Sequence, residues 1–470
     1  MYRIIVIVLT TFLLSACMLG PDFKKPDYDS PQTFRFAEDA AEMAEAVNLK
    51  WWELFSDPDL VLLVQTALRH NLDVRSAVSR IEEARAALGF SEADLYPMLD
   101  IQGGAQIGNY IGRGRSDTTD TSAYIAPVLS WEIDFWGKYR RSNESARADL
   151  LSSEYSLRTV QIGLIAEVVS TYYQLLDFEQ RLALAEYTLD SREESLDIIQ
   201  KRFDRGIIPE IDVNQAQIQR EIAAAAMPLY QRLIAKTENG INILLGQYPQ
   251  AIKTGDVLHL QPVPPEIPVG LPSVILERRP DISAALARLH AQTAKIGVAE
   301  AMRFPSISLT GLLGVSSVEL GGVTDSGEIW SAGAGLAGPI FNWNKNIRRV
   351  DIEEERTRQA LIAYEGVLLQ AYREVADALV EIDTLHKQLT AVERKNKAAQ
   401  NANKLSKLRY DKGATSYLEV LDTERTLFSV GLEQSELEQQ YRNAYVKLYK
   451  ALGGGWLSEE EMSENRTSED

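Results

Sequence analysis

Arg202-Phe203-Asp204-Arg205-Gly206 returns 207 residues later as Arg409-Tyr410-Asp411-Lys412-Gly413, and these two stretches decide the architecture. Working outward, Ile133-Asp134-Phe135-Trp136-Gly137-Lys138 returns as Ile340-Phe341-Asn342-Trp343-Asn344-Lys345, and Tyr96-Pro97 as Phe304-Pro305. Leu72-Asp73 answers to Pro280-Asp281, and Leu244-Leu245-Gly246 to Ala451-Leu452-Gly453. The offset drifts by one residue over the whole copy. Repeats of about 20 to 50 residues signal solenoids. A repeat this long is one large unit duplicated and fused, its halves related by a rotation. That is a scaffold signature more than an active-site signature.

Each copy changes period three times. A helical stretch (Leu60 to about Leu95, then Leu286 to Arg303 with its lead-in) ends at an aromatic-proline step, where helix is disfavoured. Alternating segments follow: Leu99 to Ile111 and Pro127 to Phe135, then Pro305 to Val318 and Ile329 to Phe341. Alternation over about ten residues, with aromatic residues near the ends, is the pattern of a membrane β-strand. From Lys138 to Phe203 there is no proline, so a single helix of roughly 100 Å is expected. Val168, Leu175, Leu182, Leu189, Leu196 and Phe203 fall on a seven-residue step, which implies a coiled-coil seam. The second copy keeps Val375, Ile382, Leu389 and Tyr410 but places Asn396 and Asn403 on that seam. Gly206 and Gly413 are expected as helix C-caps, Pro209 in the first turn of a return helix, and Ser416 to Glu419 as a capping box.

The chain has 470 residues and a formal charge of −18, which argues against a nucleic-acid partner. Its one long apolar run, Ile4 to Leu14, is too short to span a bilayer and reads as a secretory signal. The only cysteine follows it in Leu14-Ser15-Ala16-Cys17, which looks like a bacterial lipobox with Cys17 as the lipidated residue. The expected layout is a signal peptide over 1–16 and a lipid-anchored segment over 17–59. The first repeat covers 60–247, with a β-hairpin over 99–135 and a helical hairpin over 138–245. A Pro-rich linker over 248–273 precedes the second repeat, 274–454, with hairpins over 305–341 and 345–452. An acidic, disordered tail fills 455–470. No cofactor and no metal site is expected: the four histidines stand apart, and Gly333 to Gly338, although it fits Gly-x-Gly-x-x-Gly, sits in a strand pattern.

Four strands per chain cannot close a barrel, and an open edge in lipid leaves backbone groups unpaired. Two chains would supply eight strands around a filled interior; three would supply twelve around a lumen. The long helices, apolar along one seam, likewise need lateral neighbours.

Together these residues resemble the outer-membrane efflux duct family of the TolC type. The lipobox, Gly20-Pro21-Asp22-Phe23-Lys24-Lys25-Pro26 and Trp51-Trp52 look like its lipoprotein branch, which serves resistance-nodulation-division pumps. The resemblance implies a mixed fold: a homotrimer whose twelve-stranded β-barrel in the outer membrane continues into a long periplasmic α-helical barrel. A periplasmic adaptor and an inner-membrane pump would be its partners. It places the gate at the periplasmic helix tips, on Asp422, Glu419 and Leu418 in the second copy and Asp212 in the first, with Tyr410 bonded to Asp212 in the closed duct. Arg202, Gly206, Arg409 and Gly413 become adaptor contacts, and Thr415 stands where some members carry an arginine latch. The same residues have blander readings. Glu419 would serve as a helix cap, Asp422 as a solvated acid, and the two arginines as complements to helix dipoles. The expected function is a passive exit duct of a tripartite efflux system. A type I protein-secretion duct and a poreless coiled-coil scaffold are the alternatives, and an enzyme is the least expected class.

Overall fold

The computed structural model describes residues 18–28, 34, 57–108, 120–262, 279–317 and 327–454. Cys17, the signal, Trp51-Trp52, most of the Pro-rich linker and the acidic tail lie outside the described residues. The elements, in chain order, are α1 (Pro58–His70), α2 (Leu72–Ala93), β1 (Met98–Gly108), β2 (Asp120–Ile133), α3 (Lys138–Asp204) and α4 (Glu210–Leu244). The second copy supplies α5 (Pro280–Ala301), β3 (Ser306–Ser317), β4 (Gly327–Ala337), α6 (Lys345–Asp411) and α7 (Tyr417–Ala451). Both α3 and α6 are uninterrupted helices of 67 residues, and both α4 and α7 have 35. The two helical hairpins are therefore equal in length.

The chain divides into two compact units that cut across the repeats. The first holds residues 79–154 and 284–366 with the N-terminal segment. Its sheet is an antiparallel meander, β1-β2-β3-β4, in which the central β2–β3 pairing joins the two copies. Register sorts the side chains. Leu99, Ile101, Leu129, Leu309, Leu313 and Trp330 share one face and are exposed, while Gln102, Ser130, Ser308 and Thr310 occupy the other. An exposed apolar face on a pleated sheet is the reverse of a water-facing arrangement and suits lipid. The Gly-x-Gly-x-x-Gly stretch lies on β4 and its end, where Gly333 and Gly335 face Thr310 and Ser308. No helix opens there, so the dinucleotide pattern has no structural counterpart.

The second unit is helical. Its core gathers Leu60, Val64, Val168, Tyr172, Leu175 and Ile241. Asp57 organises this core: one oxygen caps α1, and the other accepts from Tyr172 (2.7 Å) and Gln261 (2.6 Å).

Several expectations are corrected. The first copy opens with two helices, because Asn71 takes an extended conformation and does two jobs. Its Oδ1 accepts from the amides of Asp73 and Val74, starting α2, while its amide nitrogen donates to the Leu244 carbonyl at 2.9 Å. Arg279, the matching residue, donates to the matching carbonyl of Ala451 at 2.9 Å. Different side chains thus perform the same tie in each copy. The strand bounds also shift: β2 starts at Asp120, seven residues before the expected Pro127, and ends two residues early at Ile133. At the other end of the sheet β4 stops at Ala337, four residues before Phe341, since Pro339 lacks an amide hydrogen and no strand among the described residues pairs with the outer edge of β4. The seven-residue seam also shifts. Val168 and Leu175 are fully buried, but toward the tip the buried row becomes Ala185, Arg192 and Ile199. The second copy moves in step, to Val392, Ala399 and Ser406. A straight helix of 3.6 residues per turn drifts off a seven-residue row, which is the physical cause.

Candidate functional site at the helix tips

The two helical hairpins turn at 205–209 and 412–416. Each turn opens with a Schellman motif. Gly206 (φ +70°) donates to Phe203 and Ile207 donates to Arg202; Gly413 (φ +71°) donates to Tyr410 and Ala414 donates to Arg409. These glycines are thus helix C-caps as the sequence suggests, and they lie exposed. Pro209 is the N-cap of α4 rather than a first-turn residue. Ser416 is the N-cap of α7, but its side chain makes no capping bond. The capping box is absent because Glu419 is engaged elsewhere. Its Oε1 accepts from Arg409 Nη1 at 2.9 Å, and its other oxygen accepts from the hydroxyl of Thr415.

Ile199, Ala216, Tyr417, Val420 and Leu421 form a small apolar cluster that packs the two tips together. Arg202 reaches from the first copy to the second, its guanidinium 4.7 Å from the Tyr410 ring centre and 3.6 Å from Asp411. The rings of Tyr410 and Tyr417 lie 5.4 Å apart. Among the described residues the buried Tyr410 hydroxyl has no hydrogen-bond partner, so the expected bond to Asp212 is not made within one copy. The phenol of Tyr417 is pushed up mainly by burial, then by the neighbouring Glu424, Tyr410 and Asp212.

The tip acids differ in freedom. Asp422 is 75% exposed and only loosely paired, 3.6 Å from Arg425. Leu418 is also exposed. Glu419 is tied as described, and Asp212 is half-buried. Beneath them lies a polar layer that the sequence reading missed. Lys407 sits 2.9 Å from buried Glu424, Ser406 bonds Thr423 at 2.7 Å, and Arg192 donates to the Gln219 carbonyl and lies over the Phe428 ring. Burial lowers the pKa of Arg192. An arginine on the seven-residue row 185-192-199 was the available signal.

The sequence matches the model of the outer membrane efflux protein family over residues 63–247 and 271–454. The chain belongs to that family. Among its relatives is the probable outer membrane lipoprotein SilC of Salmonella typhimurium, 34% identical over 95% of this chain and 98% of SilC. The solvent efflux pump outer membrane protein SrpC of Pseudomonas putida is also 34% identical, over 94% of this chain and 96% of SrpC. The solved outer-membrane channel OprN superposes with a TM-score of 0.86 at 30% identity, covering 94% of this chain and all of OprN. As an outer membrane efflux protein of the TolC-like fold, the chain is an outer-membrane channel of an efflux system. The tips therefore belong to a duct rather than to a poreless scaffold.

Proposed function

We propose that three copies of this chain form a passive exit duct of a tripartite efflux system, closed at rest where the helix tips converge. The observation that carries this reading is the four-stranded sheet. One face is apolar and exposed, and the outer edges of β1 and β4 lack strand partners among the described residues. In lipid those edges must be paired. Twelve strands, four from each copy, close the sheet around a lumen. The chain performs no chemistry of its own; it opens when a periplasmic adaptor and an inner-membrane resistance-nodulation-division pump engage the tips. Exposed Gly206, Arg409 and Gly413, with half-buried Arg202 beside them, form the turn edge offered to the adaptor, and Cys17 carries the lipid that tethers each copy to the outer membrane.

Of the acids at the aperture, Asp422 carries the exposed charge, with Leu418 as the constricting side chain. Glu419 contributes less because Arg409 neutralises it. Like charges from three copies around one axis attract cations and multivalent blockers. Planar-bilayer recording tests the assignment: Asp422→Asn is expected to lower cation preference, and unchanged ion selectivity rejects the aperture role. Mass labelling tests the anchor, since Cys17→Ser is expected to abolish acylation.

A further inference from the structure

One row of residues crosses the whole sheet: Gly104 pairs Tyr124, Tyr124 pairs Ser316, and Ser316 pairs Gly327. Side chains alternate along a strand, so this row shares the polar face with Gln102, Ser130 and Thr310. In the duct proposed above, that face lines the lumen. Tyr124 is the one aromatic residue on it among the described strand residues, and it is 42% exposed.

Strand side chains ordinarily stand roughly perpendicular to their sheet. Tyr124 instead leans across to the neighbouring strand. A Cβ built on Gly104 would lie 2.9 Å from its Cε1 and 3.4 Å from both Cζ and Oη. The far end of the ring therefore rests over Gly104, folded down against the wall. The other glycines of this face have different neighbours. A Cβ on Gly314 would run into the Ile125 carbonyl and Ala126, while Gly333 and Gly335 face the small hydroxyls of Thr310 and Ser308. Gly327 has nothing within 4 Å. Among these glycines, Gly104 alone lies under a large side chain that is free to swing.

We propose that Gly104 sets the bore of the barrel at this row. Lacking a Cβ, it leaves the Tyr124 ring room to lie along the wall; a larger residue there lifts the ring into the lumen. Ser316 and Gly327 complete the row, so the ring is its bulkiest group. Three copies place three such rings at one height, and lifting them narrows the path from three sides. Small solutes still pass, and bulky cargo is held back. This rests on the trimeric duct reading above and adds a limit on cargo size inside the barrel, separate from the gate at the tips. The row is well placed for it. Strand β2 leads from Asp120 to Ile133 and on to α3, so Tyr124 stands toward the end of the sheet remote from α3. Thr310, which pairs Ser130, lies deeper along the same face.

Thiol labelling from outside intact cells tests this in the full-length protein. Thr310→Cys is the target, reached from outside past the Tyr124 row, and cells without it give the background from Cys17. The probes are a small charged thiosulfonate and a maleimide carrying a polyethylene glycol chain, the longest that still labels Thr310→Cys measurably. Adding Gly104→Val is expected to slow the polymer reagent several-fold and leave the small one unchanged. Adding Tyr124→Ala to that variant is expected to restore the polymer rate. An unslowed polymer, or slowing that Tyr124→Ala does not relieve, overturns the role of Gly104 and leaves the duct standing. A Thr310→Cys that even the small reagent fails to reach overturns both. Should Gly104→Val fail to assemble, Tyr124→Ala beside the native Gly104 decides. A ring already flat against the wall leaves the polymer rate unchanged, whereas a several-fold gain shows that it stands in the lumen and overturns the proposal.

Discussion

At the residue scale, Glu419 shows how one contact alters a functional reading. Its ties to Arg409 and Thr415 convert an expected helix cap into half of an ion pair at the turn. Both partners are partly exposed, so the pair contributes under about 1 kcal/mol to stability. Its effect on local charge is larger. Arg409→Ala frees a second carboxylate beside Asp422 and is expected to raise cation selectivity, measured as a shift in reversal potential under a salt gradient. An unshifted potential would remove Glu419 from the aperture. Deeper in the same unit, burial raises the pKa of Asp177 despite hydrogen bonds from Ser435 and Arg181. For an acid with a raised folded pKa, the folded state holds the proton longer than the unfolded chain does. The stabilising contribution of the neutral form is therefore complete below about pH 3.9 and is lost as pH rises through the folded pKa. Relative to Asp177→Asn, whose side chain does not titrate, the wild type is expected to lose melting temperature as pH climbs from about 4. A constant gap across that range would contradict the burial argument.

At the element scale, the long helices depend on a few ties at their ends. Asn71 terminates α1, starts α2 and satisfies the last carbonyl of α4. Asn71→Ala removes a cap and leaves that carbonyl unpaired, at a combined cost of about 2–3 kcal/mol; thermal denaturation of the wild type and variant measures it. The N-terminal segment is clamped just as specifically. Arg141, 1% exposed, donates to the carbonyls of Leu19 and Gly20 and pairs Asp22 at 2.8 Å. Gly297 leaves room for this segment, since a Cβ there would stand 2.5 Å from the Leu19 carbonyl oxygen. Gly297→Val is expected to release the segment, seen as faster proteolytic cleavage near Lys24 and Lys25 with the sheet intact. Cleavage at the wild-type rate would show that the clamp is not what holds it.

At the scale of the whole molecule, light scattering corrected for bound detergent is expected to give particles of about three chains, and a single-chain particle would leave the strands without partners. The amino-acid sequence alone determined the duplication, the long helices, the alternating strands and the Gly206 and Gly413 caps. All of these follow from local periodicity and backbone preference, which neighbouring residues are enough to specify. Only the tertiary structure decided that Arg409 occupies Glu419, that the buried row passes through Arg192, and that Asn71 and Arg279 make equivalent ties through unlike side chains. It also decided that both outer edges of the sheet are without strand partners among the described residues. Such contacts join residues from 10 to 173 positions apart, and no periodic signal in the chain records which side chain reaches across.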